Sequence, residues 1–198
     1  LYGFHSTRYN TGHSESLFAG RTFLAAAWLT KTDEAIAVER DRNLTGPPRL
    51  QRLQLVTEID TELTELDGFG GGLSVSPSGT KAAYFVDHEV LDFRDLAAPS
   101  RVARVRVGIG SYHWAPDEKR VLLKRASEKK SGDLVWVDIP PLAEAPTGGT
   151  AIPVSQPDLA PLFHGLTIRD FRISPDGRFL AVITVGKHNL ILYPLSAR

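Results

Sequence analysis

Three times in this chain an apolar strand end runs into a proline-containing turn and straight back out into a second apolar run. The copies are Val75-Ser76-Pro77-Ser78-Gly79, Trp114-Ala115-Pro116-Asp117-Glu118 and Ile173-Ser174-Pro175-Asp176-Gly177. One or two basic residues follow each turn, and then an apolar segment at residues 82–86, 121–123 and 179–185. A supersecondary unit that recurs at a period of about 40 residues marks a repeat array, in which each unit buries its apolar face by stacking on its neighbours. Proline suits the first central position of a tight turn because its φ is fixed, and Asp or Ser followed by Gly completes a hairpin.

Alignment on the turn gives four units. The first is degenerate: Trp28-Leu29-Thr30-Lys31-Thr32-Asp33-Glu34 replaces the proline turn, but Trp28 stands where Trp114 stands, and Ala35-Ile36-Ala37-Val38 follows. Before each turn the sequence alternates. Ala26 and Trp28, Leu73 and Val75, Tyr112 and Trp114, and Phe171 and Ile173 carry the apolar phase; Ala27, Ser74, His113 and Arg172 carry the other. After each turn the run is apolar without alternation, as expected of a strand covered on both faces. A third strand is expected at residues 53–59, 90–96, 134–139 and 190–195, and a fourth at 63–66, 102–107 and 151–154. Ile59, Leu63 and Leu66 also fit a short helix over residues 57–67, although the repeat alignment favours strand, turn and strand there.

The resulting expectation is an all-β chain of β-propeller-type repeats: about four blades of four antiparallel strands, the last incomplete, within a single domain over residues 1–198. The units run approximately 21–68, 69–108, 109–166 and 167–198. Residues 1–20, with Tyr2, Phe4, Leu17 and Phe18, are expected to add a closing strand beside residues 190–195, because an unpaired edge invites association. The result is either a small ring or an arc that a partner completes. Trp28, Trp114 and Trp136 are expected in the core between blades.

The totals narrow the function classes. Twenty-three basic and 23 acidic residues cancel, leaving no electrostatic footprint for nucleic acid or an anionic membrane. No apolar run reaches the 18 residues of a membrane-spanning helix, so no direct membrane insertion is expected. The chain has no cysteine, which excludes disulfides, cysteine-ligated zinc and thiol catalysis. It starts at Leu1 and holds no methionine, as expected of a processed chain or a piece of a longer one, so an export signal cannot be read.

Chemistry-bearing motifs are sparse. The six histidines, His5, His13, His88, His113, His164 and His188, stand singly, without the paired spacing of a metal site, and neither a metal nor a cofactor is expected. No phosphate-cradling G-x-x-x-x-G-K-[ST] loop occurs. His113 lies on the inner strand of the best-formed unit, in the phase shared with Ser74 and Arg172. With Asp170 these are the candidate binding residues, read against the plainer alternatives of a hydrogen-bonded histidine between blades and charges that fix turns. Asp176 belongs to the same neighbourhood. Two long segments, residues 40–49 and the Pro/Gly-rich stretches at 140–149 and 156–165, are binding loops or tolerated insertions. Asn43-Leu44-Thr45 matches a glycosylation sequon, meaningful only in a eukaryotic secreted protein.

The turns resemble the WD40-like (PD40) repeats of TolB-type propellers and of the propeller domains in prolyl-oligopeptidase-like peptidases. The best match is Tyr112-His113-Trp114-Ala115-Pro116-Asp117 with Lys119-Arg120-Val121-Leu122 and Ser131-Gly132-Asp133-Leu134-Val135-Trp136-Val137-Asp138; Ser174-Pro175-Asp176-Gly177-Arg178 follows. The resemblance spans residues 28–195 and implies fold more than function. It implies a protein-binding platform or a filter over a hydrolase domain, with an extracytoplasmic setting. The family usually closes with six or more units, whereas three or four are visible here.

A peptidase of that kind needs a nucleophile elbow, G-x-S-x-G. Gly70-Gly71-Gly72-Leu73-Ser74 and Gly108-Ile109-Gly110-Ser111 come nearest, and neither has the downstream glycine. The leading expectation is therefore a non-catalytic binding or scaffold module that meets a protein partner within a larger assembly. The alternative is the non-catalytic propeller part of a serine peptidase or other hydrolase. A third reading is a lyase or sugar-binding propeller with a channel site on His113, Arg172 and Asp170.

Overall fold

The computed structural model describes residues 4–7, 14–29, 32–43, 45–126, 133–146, 151–163, 166–185 and 189–195. Among these every regular element is a β-strand. The chain divides into two compact units, one of Leu1–Asp87, Asp92–Val102 and Leu142–Ala145, the other of His88–Leu91, Ala103–Pro141 and Pro146–Arg198.

In the first unit, β1 (Phe4–Thr7) and β2 (Ser14–Leu17) pair with each other as a hairpin. A closing strand from residues 1–20 beside residues 190–195 is expected from the sequence; among the described residues, β1 and β2 pair with each other. A four-stranded antiparallel sheet follows, built in order from β3 (Thr22–Trp28), β4 (Glu34–Arg40), β5 (Arg49–Gln54) and β6 (Ile59–Glu65). Its third strand lies about four residues earlier than the sequence suggests, because Leu50 and Leu53 carry the buried positions. Residues 55–58 make the turn, with Glu58 in the left-handed region at φ 54°. Residues 59–65 are strand, so the helical alternative fails.

The second sheet runs β7 (Gly71–Val75), β8 (Lys81–Phe85), β9 (Val90–Asp95) and β10 (Arg101–Arg106), and contributes residues to both units. The third comprises β11 (Gly110–Trp114), β12 (Arg120–Arg125) and β13 (Asp133–Asp138). The fourth strand expected at 151–154 does not complete it. Instead β14 (Ala143–Glu144) and β15 (Val154–Ser155) both add to β10, antiparallel at Arg101 and Val102 and parallel at Arg104 and Val105. The edge of β13 takes a single bridge from Val135 to Pro161. The last sheet is β16 (Ile168–Ile173), β17 (Phe179–Thr184) and β18 (Leu190–Pro194); among the described residues β18 pairs with β17 alone.

The hairpins repeat one hydrogen-bond pattern. The amides of Leu29, Ser76, Ala115 and Ser174 donate to the carbonyls of Glu34, Lys81, Arg120 and Phe179 at 2.9–3.0 Å. One strand further on, the amides of Leu55, Leu96, Ile139 and Leu195 donate to Asp33, Thr80, Lys119 and Arg178 at 2.7–2.9 Å. The first sheet thus keeps the repeat register even though its turn, with Thr30 and Lys31 outside the described residues, has lost the proline. In the other three turns the position two after proline has positive φ: Gly79 at 76°, Glu118 at 55° and Gly177 at 72°. Glycine is the residue suited to that conformation, and Glu118 carries it with a side chain.

Two cores hold neighbouring sheets together. In the first unit Leu29, Ile36, Val38 and Leu50 pack with Ala82, Tyr84 and Leu96, joined by the partly buried Leu73 and Val75. In the second unit Leu122 and Leu134 pack with Phe171, Leu180 and Val182, joined by Trp136 and Ile173. Residues 82–85 and 121–123 are buried on both faces, as their unalternating sequence requires. The run 179–185 departs from that expectation. Leu180 and Val182 are buried, but Phe179 and Val185 are exposed, because only one face of this strand is packed. Trp114 is buried and Trp136 half-buried, while Trp28 is 66 % exposed, against the expectation that it fills the core.

Candidate inner-strand site

Three of the four residues proposed from sequence meet in the second unit. His113 lies on β11 opposite Leu122, and Arg172 and Asp170 lie on β16 opposite Ala181 and Ile183. A register irregularity between Ile168 and Asp170 leaves Arg169 out of the ladder, and its carbonyl accepts from Lys124 Nζ at 2.9 Å. That offset sets the Asp170 carboxylate over its own strand, where Oδ1 accepts the Phe171 amide at 2.8 Å.

Arg172 ties the group together. Its Nη1 donates to Asp170 Oδ1 at 2.7 Å, to the Phe171 carbonyl at 2.7 Å and to His113 Nε2 at 2.6 Å. One terminal nitrogen carries two N–H groups, so three acceptors share two protons. Nη2 and Nε make no bond among the described residues, and the side chain is 60 % exposed. The His113 ring stands edge-on against Phe171, with centroids 4.9 Å apart and planes at 76°. Burial of the half-covered ring, followed by the Arg172 charge, pushes the His113 pKa below its usual value, with Asp170 pulling the other way. An arginine only donates, so His113 is the neutral tautomer with its proton on Nδ1 and its basic nitrogen occupied.

Ser74 lies half-buried on β7 opposite Ala83, in the first unit. Asp176 is a turn residue: it accepts from Ser174 Oγ at 2.6 Å, from the Arg178 amide at 3.1 Å and from Arg178 Nε at 2.6 Å. The bond from Ser174 and then those from Arg178 hold its pKa far below the usual carboxylate range. His88 is exposed, and His5, His13, His164 and His188 lie outside the residues whose side chains are described. Among the described residues no group of three His, Cys, Asp or Glu side chains is placed to hold a metal ion. No helix of the described residues is long and apolar enough to cross a membrane. Of the sequon, Leu44 is outside the described residues; Thr45 caps the loop, donating through Oγ1 and its amide to Asp41 at 3.1 and 3.0 Å.

Two polar clusters escape sequence reading. On β9 Asp92 and Arg94 are buried as an ion pair at 3.2 Å, with Arg94 Nε donating to Tyr84 Oη at 2.8 Å and Nη1 to the Pro99 carbonyl at 3.0 Å. On the first sheet Arg21 joins Glu39 at 2.7 Å and Asp60 at 2.8 Å beside the rings of Phe18 and Phe23. These partners lie 18 and 39 positions apart in the sequence, so no local motif announces them.

No protein-family model and no curated protein sequence matches the chain. Solved structures do. The structure of TolB from Acinetobacter baumannii superposes with a TM-score of 0.62 at 16 % identity, over 98 % of this chain and 46 % of that one. The repeats are TolB-like β-propeller repeats. Hydrazine synthase of Kuenenia stuttgartiensis matches with a TM-score of 0.57 at 12 % identity, over 91 % of this chain and 49 % of its own. The dihydro-heme d1 dehydrogenase NirN, solved in complex with DHE, matches at 0.60 and 12 %, over 98 % and 40 %. The chain therefore spans less than half the length of each. At these identities the likeness is one of fold, and the TolB-like arrangement accounts for the stacked antiparallel sheets and the turn register.

Proposed function

We infer that this chain is a non-catalytic β-propeller module that binds a protein partner through the inner strands of its third and fourth sheets, with Arg172 as the anchor. The observation that carries this reading is the division of labour on Arg172. Nη1 is held by Asp170, Phe171 and His113, while Nη2 and Nε make no bond among the described residues on a side chain that is 60 % exposed. A pre-oriented guanidinium edge matches the two oxygens of a carboxylate. The partner is accordingly a segment presenting Asp, Glu or a free C-terminus. A catalytic reading draws less support, because the basic nitrogen of His113 is spent on Arg172 and has none left for a substrate proton.

The test is fluorescence anisotropy with labelled acidic peptides, with and without a free C-terminal carboxylate. Arg172→Ala should weaken binding by about 10- to 100-fold, the worth of a charge-assisted pair, and Arg172→Lys should restore part of it. Peptides that bind equally to wild type and Arg172→Ala, or to neither, would overturn the assignment.

A further inference from the structure

The contact between the inner strands of the third and fourth sheets lies within one compact unit and has one acceptor too many. Arg172 Nη1 carries two protons and faces Asp170 Oδ1 at 2.7 Å, the Phe171 carbonyl at 2.7 Å and His113 Nε2 at 2.6 Å. If His113 withdraws, the two protons still have two acceptors, so the guanidinium stays held. An imidazole is also the acceptor suited to withdraw under mild conditions, because a proton on Nε2 turns it into a donor. Its ring stands edge-on against Phe171, the residue between Asp170 and Arg172 in sequence, with centroids 4.9 Å apart. That packing keeps the ring beside Arg172 in either state.

The charges facing the ring come from two elements. β16 brings Arg172, which opposes a second positive charge, and Asp170, which favours it. β12 carries Lys124 and Arg120 on the same sheet face as His113, since His113 lies opposite Leu122 between them. Lys124 Nζ donates to the Arg169 carbonyl at 2.9 Å, and Arg120 lies over the Trp136 ring, 4.2 Å from its centroid, with Asp138 opposite it on β13. Three cations and one nearby carboxylate hold the ring neutral. A second carboxylate beside Arg172 changes that balance.

We propose that the Arg172 site binds its carboxylate ligand together with a proton taken up by His113, so that an acidic partner is held more tightly in mildly acidic surroundings than at neutral pH. The inference rests on the reading of Arg172 as a carboxylate anchor and adds a proton from solvent to it. The ligand meets Nη2 and Nε; the proton settles on His113 Nε2; Nη1 keeps Asp170 and the Phe171 carbonyl. The ligand's charge relieves the repulsion between the imidazolium and the guanidinium. One partly screened opposite charge at this range is worth about 3- to 10-fold in proton affinity, and linkage passes the same factor to the ligand.

Anisotropy with a labelled, histidine-free Asp/Glu peptide tests it at about pH 7.5 and about pH 5, where the peptide carboxylates are still ionised. The wild type should bind about 3- to 10-fold more tightly at the lower pH. In His113→Gln the ratio between the two affinities should fall to about one, whatever its absolute affinity. NMR titration of the unaltered protein gives a second readout that needs no variant: saturating peptide should move the His113 midpoint to higher pH, and the Asn/Gln version of the peptide should leave it in place. A wild-type affinity that is flat or weaker in acid, a His113→Gln ratio equal to that of wild type, or an unmoved midpoint would overturn the proton coupling. If Arg172→Ala still weakened binding in those cases, the anchor itself would stand. Peptide binding that ignores Arg172 at both pH values would remove both.

Discussion

Arg172 Nη1 lies 2.6 Å from His113 Nε2, so a permanently charged guanidinium occupies the one ring nitrogen that would take up a proton. Together with burial this favours the neutral imidazole, and the His113 pKa falls below its usual value. The sign of the linkage follows. Between the folded pKa and the ordinary value near 6.5 the unfolded chain binds more protons, so stability rises with pH across that window and levels off above it.

Replacing Arg172 by Gln should raise the His113 pKa, because a repulsive charge is removed while Asp170 stays. NMR titration of the ring resonances measures this directly. An unmoved titration would mean that desolvation alone sets the value.

The buried Asp92–Arg94 pair carries the second prediction. Asp92 has no exposure and Arg94 very little, and they meet at 3.2 Å. Arg94→Ala removes this cation from beside a fully buried carboxylate and should destabilise the chain in urea denaturation, by up to roughly 3–5 kcal/mol. Asp92→Asn combined with Arg94→Met should recover most of that loss, since what destabilises is the uncompensated charge. Equal losses in the single and double variants would assign the effect to packing around Tyr84.

Much of the fold could be read from the chain because the turns repeat: Pro77, Pro116 and Pro175 mark hairpins whose hydrogen bonds are superimposable, and residues 82–85 and 121–123 are buried as their composition demands. Where the text misleads, the cause is tertiary. The third strand of the first sheet is Arg49–Gln54 because Leu50 and Leu53 face cores there, while the more apolar-looking Leu55-Val56 enters a turn. Residues 143–144 carry no strand signal of their own, and 151–154 read as the fourth strand of the third sheet; the edge of β10 takes up Ala143–Glu144 and Val154–Ser155 instead. Trp28 looks like Trp114 in sequence, yet burial belongs to the neighbouring sheet and not to the residue. For the site, the strand phase pointed to His113 and Arg172. No pattern reveals that Asp170 would orient the arginine, because that depends on an irregularity in β16.

Glu118 offers a stabilising change. It holds φ 55° at the position occupied by Gly79 and Gly177 in the sister turns. A left-handed residue with a Cβ costs about 1–2 kcal/mol, partly offset by the greater backbone entropy that glycine loses on folding. Glu118→Gly should therefore stabilise by about 0.5–1 kcal/mol, a rise of roughly 1–4 °C in melting temperature. Gly177→Ala is the reverse experiment. It places a Cβ 3.3 Å from Pro116 Cγ at φ 72° and should lower stability by about 1–2 kcal/mol. If both changes were neutral, the turn would be relaxing away from the repeat geometry.

The last prediction separates two tryptophans that the sequence cannot distinguish. Trp114 and Trp28 both stand two residues before the turn position, both at the end of an inner strand. Trp114 is 9 % exposed and Trp28 66 %. Truncating the first removes a buried indole and leaves a cavity, so Trp114→Ala should cost about 3–5 kcal/mol. Truncating the second removes a side chain already in water, so Trp28→Ala should shift the unfolding free energy of the isolated chain by less than about 0.5 kcal/mol. Urea titrations at a protein concentration low enough to keep the chain monomeric make the comparison clean, because self-association would add its own stabilisation to the wild type. Should the two variants unfold at the same denaturant concentration, the burial difference between Trp114 and Trp28 would not hold in solution.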